Sequence, residues 1–222
     1  MRLLIMSNRA FSVLFGVFCL FLMAASVASS SELQRYTKMG GDFSLMSTQH
    51  KILSLEDFSG KIILLTFGFT HCQHICPMTL ARLGQITEKL ETALKEKVII
   101  FFINVDAKDS VDDIKKFISI FEKKDAKSPS IIGFTGNVKD LQDIARRYGA
   151  TFFEAPPTVN SEKSDSQKAQ QLNQSQPVAD IIIHTDRVFL LDQKGIVRKI
   201  YPKELEPKEA IEDITSLMGE VP

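Results

Sequence analysis

Tryptophan is absent from this 222-residue chain, and cysteine occurs only three times. Without tryptophan, aromatic packing falls to 16 phenylalanines and three tyrosines. An excess of charge of either sign is also missing, since 27 basic residues stand against 27 acidic ones. That balance excludes the basic face on which nucleic-acid binding depends. No internal repeat is present, which excludes a solenoid or array. Apolar runs long enough to cross a membrane are missing as well, save one at the N-terminus. What remains, 44% hydrophobic and 24% charged, is the composition of an ordinary globular protein.

The exception spans Ala10 to Ala28, follows Arg2 and Arg9, and ends in small residues of which Ser26 and Ala28 fit a cleavage site. It is also close to the roughly 20 residues a spanning helix needs. Residues 1–28 therefore read as a signal peptide or a retained membrane anchor, with the cleaved signal favoured. Either one exports the body, to the periplasm of a bacterium, tethered to the inner membrane if the anchor stays. Cys19 lies within the run without the small residue expected before a lipidated cysteine. Arg2 and Arg9 are the only charges of this segment, so the rest carries 25 basic residues against 27 acidic.

Residues 29–222 are of a size for one core. Phe43–Met46 and Lys51–Leu55 read as short strands, a hairpin at the front. Lys61–Gly68 (KIILLTFG) and Val98–Val105 (VIIFFINV) are unbroken apolar runs, suited to strands covered on both faces. Between them Pro77–Lys97 carries Leu83, Ile86, Leu90 and Leu94 at helical spacing. Strand, helix and strand make a βαβ unit, which the right-handed crossover rule renders parallel. Ser110 and Asp113 form a capping box before a helix bearing Ile114, Phe117 and Ile118. Ser130–Phe134 reads as a strand ended by nearby Gly133 and Gly136. Val138–Tyr148 reads as a helix with Gly149 as its C-cap. Thr151–Phe153, Ile181–His184, Val188–Asp192 and Ile196–Tyr201 are extended, the last two joined by a turn at Gly195. Glu206–Met218 closes the chain as a helix with Pro207 in its first turn. Strands alternating with helices predict an α/β fold, a central mixed sheet flanked by helices. Residues 160–177 break the order: Leu172 is their only large apolar residue, and such a stretch cannot bury enough to fold alone. They read as a flexible polar insertion.

The informative chemistry lies in Thr70-His71-Cys72-Gln73-His74-Ile75-Cys76-Pro77, which holds the only two cysteines outside the N-terminal run. In an exported protein nearby thiols oxidise unless reduced or metal-bound. A purely structural bridge is a weak reading, because so short a loop returns little chain entropy. Pro77 bars regular helix back to Gln73, so Cys72 belongs to the strand-to-helix loop and Cys76 to the helix start. Backbone N–H groups there lower a thiol pKa. Two thiolates suit Cu(I) or Zn(II). Besides the cysteines, the candidates for further ligands are His71, His74, His50 and His184. Structural zinc wants four ligands, whereas Cu(I) accepts two sulfurs and one imidazole. His184 is the natural distant partner, His71 a loop-shaping residue, and His74 a solvated one with a minor reading in copper passage.

The run KIILLTFGFTHCQHICPMTLARL, followed by FFINVDAKDS and IIIHTDRVFLLDQKG, resembles the Sco (SenC) family of exported, thioredoxin-like copper proteins over roughly Gly41–Pro202. The resemblance implies a thioredoxin-like fold, with Cys72, Cys76 and His184 binding copper and Asp106 supporting the site; Asp106 reads equally as a strand-end turn residue. It implies delivery of copper to the dinuclear copper centre of cytochrome c oxidase, whose copper-bearing subunit would be the partner alongside a thiol reductant. The chain departs from the family pattern at Gln73-His74, where Pro-Asp is usual, at Ala107 in place of proline, and at Ile183 in place of aspartate. A second reading is a thiol–disulfide oxidoreductase in which Cys72 attacks a partner disulfide and Cys76 resolves it. Peroxidase chemistry lacks the Pro-rich segment before its cysteine. Nothing in the sequence selects a redox or copper sensor.

Overall fold

Strands β3 (Ile62–Gly68) and β4 (Val98–Asn104) are buried at every residue. They lie side by side and parallel, with Ile62 opposite Val98 and Gly68 opposite Asn104. The computed structural model describes residues 32–122, 130–154, 182–184, 187–202 and 205–220, with the backbone alone at 153–154 and 182–184. The segments read as signal or anchor (1–28) and as polar insertion (160–177) lie outside these residues. Among the described residues, no helix is long and apolar enough to cross a membrane.

The remaining strands of the main sheet are β1 (Ser44–Ser47), β2 (Ile52–Ser54), β5 (Ile131–Thr135), β8 (Val188–Leu191) and β9 (Val197–Tyr201). Their order across the sheet is β2-β1-β5-β4-β3-β8-β9. β4 and β5 pair in parallel, while β1 on β5, β8 on β3 and β9 on β8 are antiparallel, so the sheet is mixed as expected. The front hairpin is part of this sheet, because β1 docks on β5. Two further strands, β6 (Phe152–Glu154) and β7 (Ile182–His184), form a separate antiparallel pair.

The helices are α1 (Ile75–Lys89), α2 (Thr92–Lys95), α3 (Val111–Ser119), α4 (Val138–Arg147) and α5 (Pro207–Gly219). Alternate residues of β3 and β4 serve two cores. Ile63, Leu65, Ile99 and Phe101 pack with Leu141, Ile144 and Tyr148 on one side. Ile62, Leu64, Ile100 and Phe102 pack with Leu80, Leu83, Ile114 and Ile214 on the other. This two-sided burial is why neither strand shows polar alternation.

Two local expectations need correction. The helix expected over Pro77–Lys97 is two helices, because Leu90 is extended (ψ 153°) and α2 restarts after Glu91. Gly133 lies inside β5 and does not end it. A Cβ there would sit 2.5 Å from Ile114 Cγ2 and 2.7 Å from Thr48 Cγ2, so the glycine lets α3 press onto the strand. Other local signals hold. Ser110 and Asp113 make both bonds of the capping box, and Gly149 takes the left-handed conformation (φ 65°) that ends α4.

Candidate metal and thiol site

The cysteine segment leaves the C-terminal end of β3 and enters α1. Gly68 allows the approach: a Cβ there would lie 2.9 Å from Cys76 Sγ and 2.5 Å from Phe102 Cε2. The helix begins at Ile75 with His74 at its N-cap, and no side chain of the usual capping kind accepts its first N–H groups. Pro77 occupies the third helical position and has no N–H to offer. Sulfur fills the capping role, since the Cys76 N–H donates to Cys72 Sγ at 3.4 Å.

Neither Cys72 nor Cys76 is in a disulfide. Cys76 is 4% exposed and Cys72 is half-buried. Burial pushes the Cys72 thiol up, but the N–H of Cys76, the Cys76 side chain and the N–H groups of His74 and Ile75 together outweigh it, so its pKa falls below the ordinary thiol value. A lowered pKa raises the thiolate fraction at neutral pH, and thiolate is the form that attacks disulfides or binds metal. Iodoacetamide at neutral pH should therefore alkylate Cys72 before Cys76, with a midpoint in the pH–rate profile below that of a free cysteine. Peptide mapping by mass spectrometry checks this, and the reverse order would contradict the assignment.

The loop after β4 holds the cysteine segment. Asp109, whose side chain is 2% exposed, accepts the Thr70 N–H at 3.2 Å and pairs with His71 Nδ1 at 3.3 Å. Asp106 accepts the Lys108 N–H on Oδ1 at 2.9 Å, an Asx-type turn, while its carbonyl receives Asn104 Nδ2 at 2.6 Å. The structure thus brings Asp106 to the site's border as a turn-forming residue. Asp109, which the sequence reading did not single out, is the acid bonded to the cysteine loop. No local signal separates it from Asp106, Asp112 or Asp113.

The histidines are spread. His71 lies in the loop, and exposed His74 is the N-cap of α1. His50 takes a left-handed turn conformation (φ 57°) and pairs with Asp112 at 3.2 Å. His184 ends β7, where its backbone is registered with Phe152; its ring lies outside the described residues. Three residues further on, the carbonyl of Arg187 accepts Thr66 Oγ1 at 3.2 Å, two positions before Gly68. At about 3.6 Å of chain per residue, the His184 backbone is at most about 11 Å from Arg187.

A SCO2-like protein of Rickettsia felis is 26% identical to this chain over 211 residues, covering 90% of this chain and 91% of the relative. The structure of yeast Sco1 with copper bound superposes with a TM-score of 0.64 at 25% identity, covering 83% of this chain and 91% of Sco1. BsSco, described as a member of the Sco family of cytochrome c oxidase assembly proteins with a disulfide switch, superposes with a TM-score of 0.58 at 23% identity, covering 85% of this chain and 98% of BsSco. The fold is accordingly thioredoxin-like, a mixed sheet with helices on both faces. The SCO1/SenC family model matches residues 31–219, and this chain belongs to that family.

Proposed function

We propose that this protein is an exported copper metallochaperone that holds Cu(I) between Cys72, Cys76 and His184 and passes it to the dinuclear copper centre of cytochrome c oxidase. The observation that carries the reading is the sulfur-capped helix: a thiolate-prone Cys72 receives the Cys76 N–H, with the second sulfur four residues on, in the first turn of α1. Two soft donors favour Cu(I) over harder cations. Family membership and the copper-bound yeast relative support the metal. The short tether from Arg187 to His184 supports the third ligand, because it limits how far the imidazole can lie from the end of β3. With so few ligands, copper leaves by exchange with incoming donors of the target. The apolar run at 10–28 supports export, with the inner membrane as tether if it is retained.

The test is an anaerobic Cu(I) titration of the reduced protein against a competing chelator. One equivalent is expected to bind tightly, and His184→Ala is expected to weaken it by at least about tenfold, or 1.4 kcal/mol. Unchanged stoichiometry and affinity in His184→Ala would end the three-ligand reading.

A second reading rests on the different exposure of the two thiols. Half-buried Cys72 can meet a partner disulfide, and buried Cys76 can then resolve the mixed disulfide, with a thiol reductant restoring the pair. The disulfide switch of BsSco supports it. Trapping of a Cys72-linked mixed disulfide in Cys76→Ser, with turnover indifferent to His184→Ala, distinguishes oxidoreductase from carrier.

A further inference from the structure

The cysteine loop carries a second set of donors that the thiol chemistry does not use. His71, Asp106 and Asp109 each present one ligand atom, and these atoms all lie within 4.8 Å of one another. Metal–nitrogen and metal–oxygen bonds of about 2.0–2.2 Å put the ligands of one ion roughly 3–4 Å apart. Closing the set therefore asks for a small rotation, and the His71 side chain, 73% exposed and held through Nδ1 to Asp109 at 3.3 Å and to Thr70 Oγ1 at 3.2 Å, has room to make it.

The donors differ in kind from the sulfur pair. One imidazole and two carboxylates are borderline-to-hard ligands that suit a divalent first-row cation, with Cu(II) bound more tightly than Zn(II), and are poorly matched to Cu(I). The electrostatics ask for a cation as well. The Asp109 carboxylate is 2% exposed, yet it is held by one backbone N–H and one imidazole nitrogen, slight compensation for a buried charge. Asp113, whose carboxyl is held below the usual range chiefly by its hydrogen bonds from Ser110 and less by His71, adds to the negative field.

A separate observation lies beneath the same loop. Asn104 is wholly buried at the end of β4, and by strand alternation it lies on the Phe102 and Cys76 side of the sheet. Its amide nitrogen is fixed on the Asp106 carbonyl, which fixes the orientation of the amide, and its Oδ1 has no hydrogen-bond partner among the described residues. A buried amide oxygen without a donor calls for a bound water or ion. The amide is anchored through its nitrogen on the Asp106 carbonyl, so a water or ion that satisfies Oδ1 would lie close to a residue of the cluster.

We propose that His71, Asp106 and Asp109 form a second metal site, for a divalent cation, on the border of the cysteine loop. The site is independent of the Cu(I) reading. It gives the loop two neighbouring sites of opposite preference, one for a soft monovalent ion and one for a harder divalent ion.

The test uses the full chain with Cys19, Cys72 and Cys76 changed to serine, titrated with Cu(II) in a weakly competing buffer. Electron paramagnetic resonance should show one equivalent of Cu(II) with a single imidazole nitrogen and oxygen ligands. His71→Gln and Asp106→Asn, both at accessible positions, should each weaken it at least tenfold while circular dichroism stays unchanged. Asp109→Asn should do the same if it folds. Variants of His50, His74 or His184 to glutamine should leave it intact. The absence of a one-equivalent signal, or a signal unmoved by both His71→Gln and Asp106→Asn, would overturn the site. Either result leaves the Cu(I) titration of the wild type to be judged separately.

Discussion

Changing Cys72 and Cys76 together to serine is expected to lower Cu(I) affinity by roughly a thousandfold or more, about 4 kcal/mol. The size follows from ligand softness, since a hydroxyl shares the geometry of a thiol but offers Cu(I) no comparable bond. The same exchange should spare the fold. Cys72 accepts the Cys76 N–H through its sulfur, and a serine hydroxyl can accept the same bond. Serine at 76 stays small enough for the contact that Gly68 permits. Chelator competition under anaerobic conditions measures the affinity, and circular dichroism checks the helix. Retention of Cu(I) within tenfold of the wild type would remove the sulfur pair from the site.

The largest effect expected on stability lies far from the cysteines in sequence. Arg198 points inward from β9 with its side chain 1% exposed. It donates to Glu220 at 2.6 and 2.8 Å, to Asp192 at 3.2 Å and to the Leu33 carbonyl at 2.6 Å. The hydrogen bonds to Glu220, opposed by burial and aided by Asp192, hold its pKa above the usual arginine value, while the Glu220 carboxyl is held below the usual carboxylate range. One guanidinium thus ties the C-terminal helix, the β8–β9 turn and the segment that follows the N-terminal apolar run. Arg198→Met would leave two carboxylates and a carbonyl around an apolar side chain. Breaking a buried pair by removing one partner costs about 3–5 kcal/mol. The partial exposure of Glu220, 25%, favours the lower end, so a loss of about 3 kcal/mol is expected. For a domain of this size that is a fall in Tm of roughly 6–12 °C. Thermal unfolding measures it, and Cu(I) affinity at 25 °C should not move. A Tm within about 2 °C of the wild type would mean that the network contributes little.

Local chemistry is what the sequence made legible. The two apolar strands flanking an amphipathic helix, the serine–aspartate box before α3, and Gly149 at the end of α4 are each decided within a few residues, and each is found where expected. The position of the cysteines, one in the loop and one at the helix start, followed from the ring of Pro77 alone. Features set by distant neighbours were not legible. The leucine stripe runs through Leu90 to Leu94, so periodicity could not reveal the break between α1 and α2. Gly133 looks like a strand terminator until Ile114 and Thr48 are packed against it. Asp109 and Arg198 carry no local signal of their roles, because only the folded chain brings Thr70 to the one and Leu33 to the other. His184 was picked out by its resemblance to a family motif, since a lone histidine in a short strand carries no chemical signal of its own.

The central claim is that two sulfurs and one remote imidazole meet on a single copper ion. X-ray absorption at the copper edge of the reduced, Cu(I)-loaded protein tests it most directly. Two sulfur scatterers and one histidine nitrogen are predicted in the wild type, with the nitrogen lost in His184→Ala. A wild-type spectrum without imidazole, or an imidazole that persists in His184→Ala, would contradict the account.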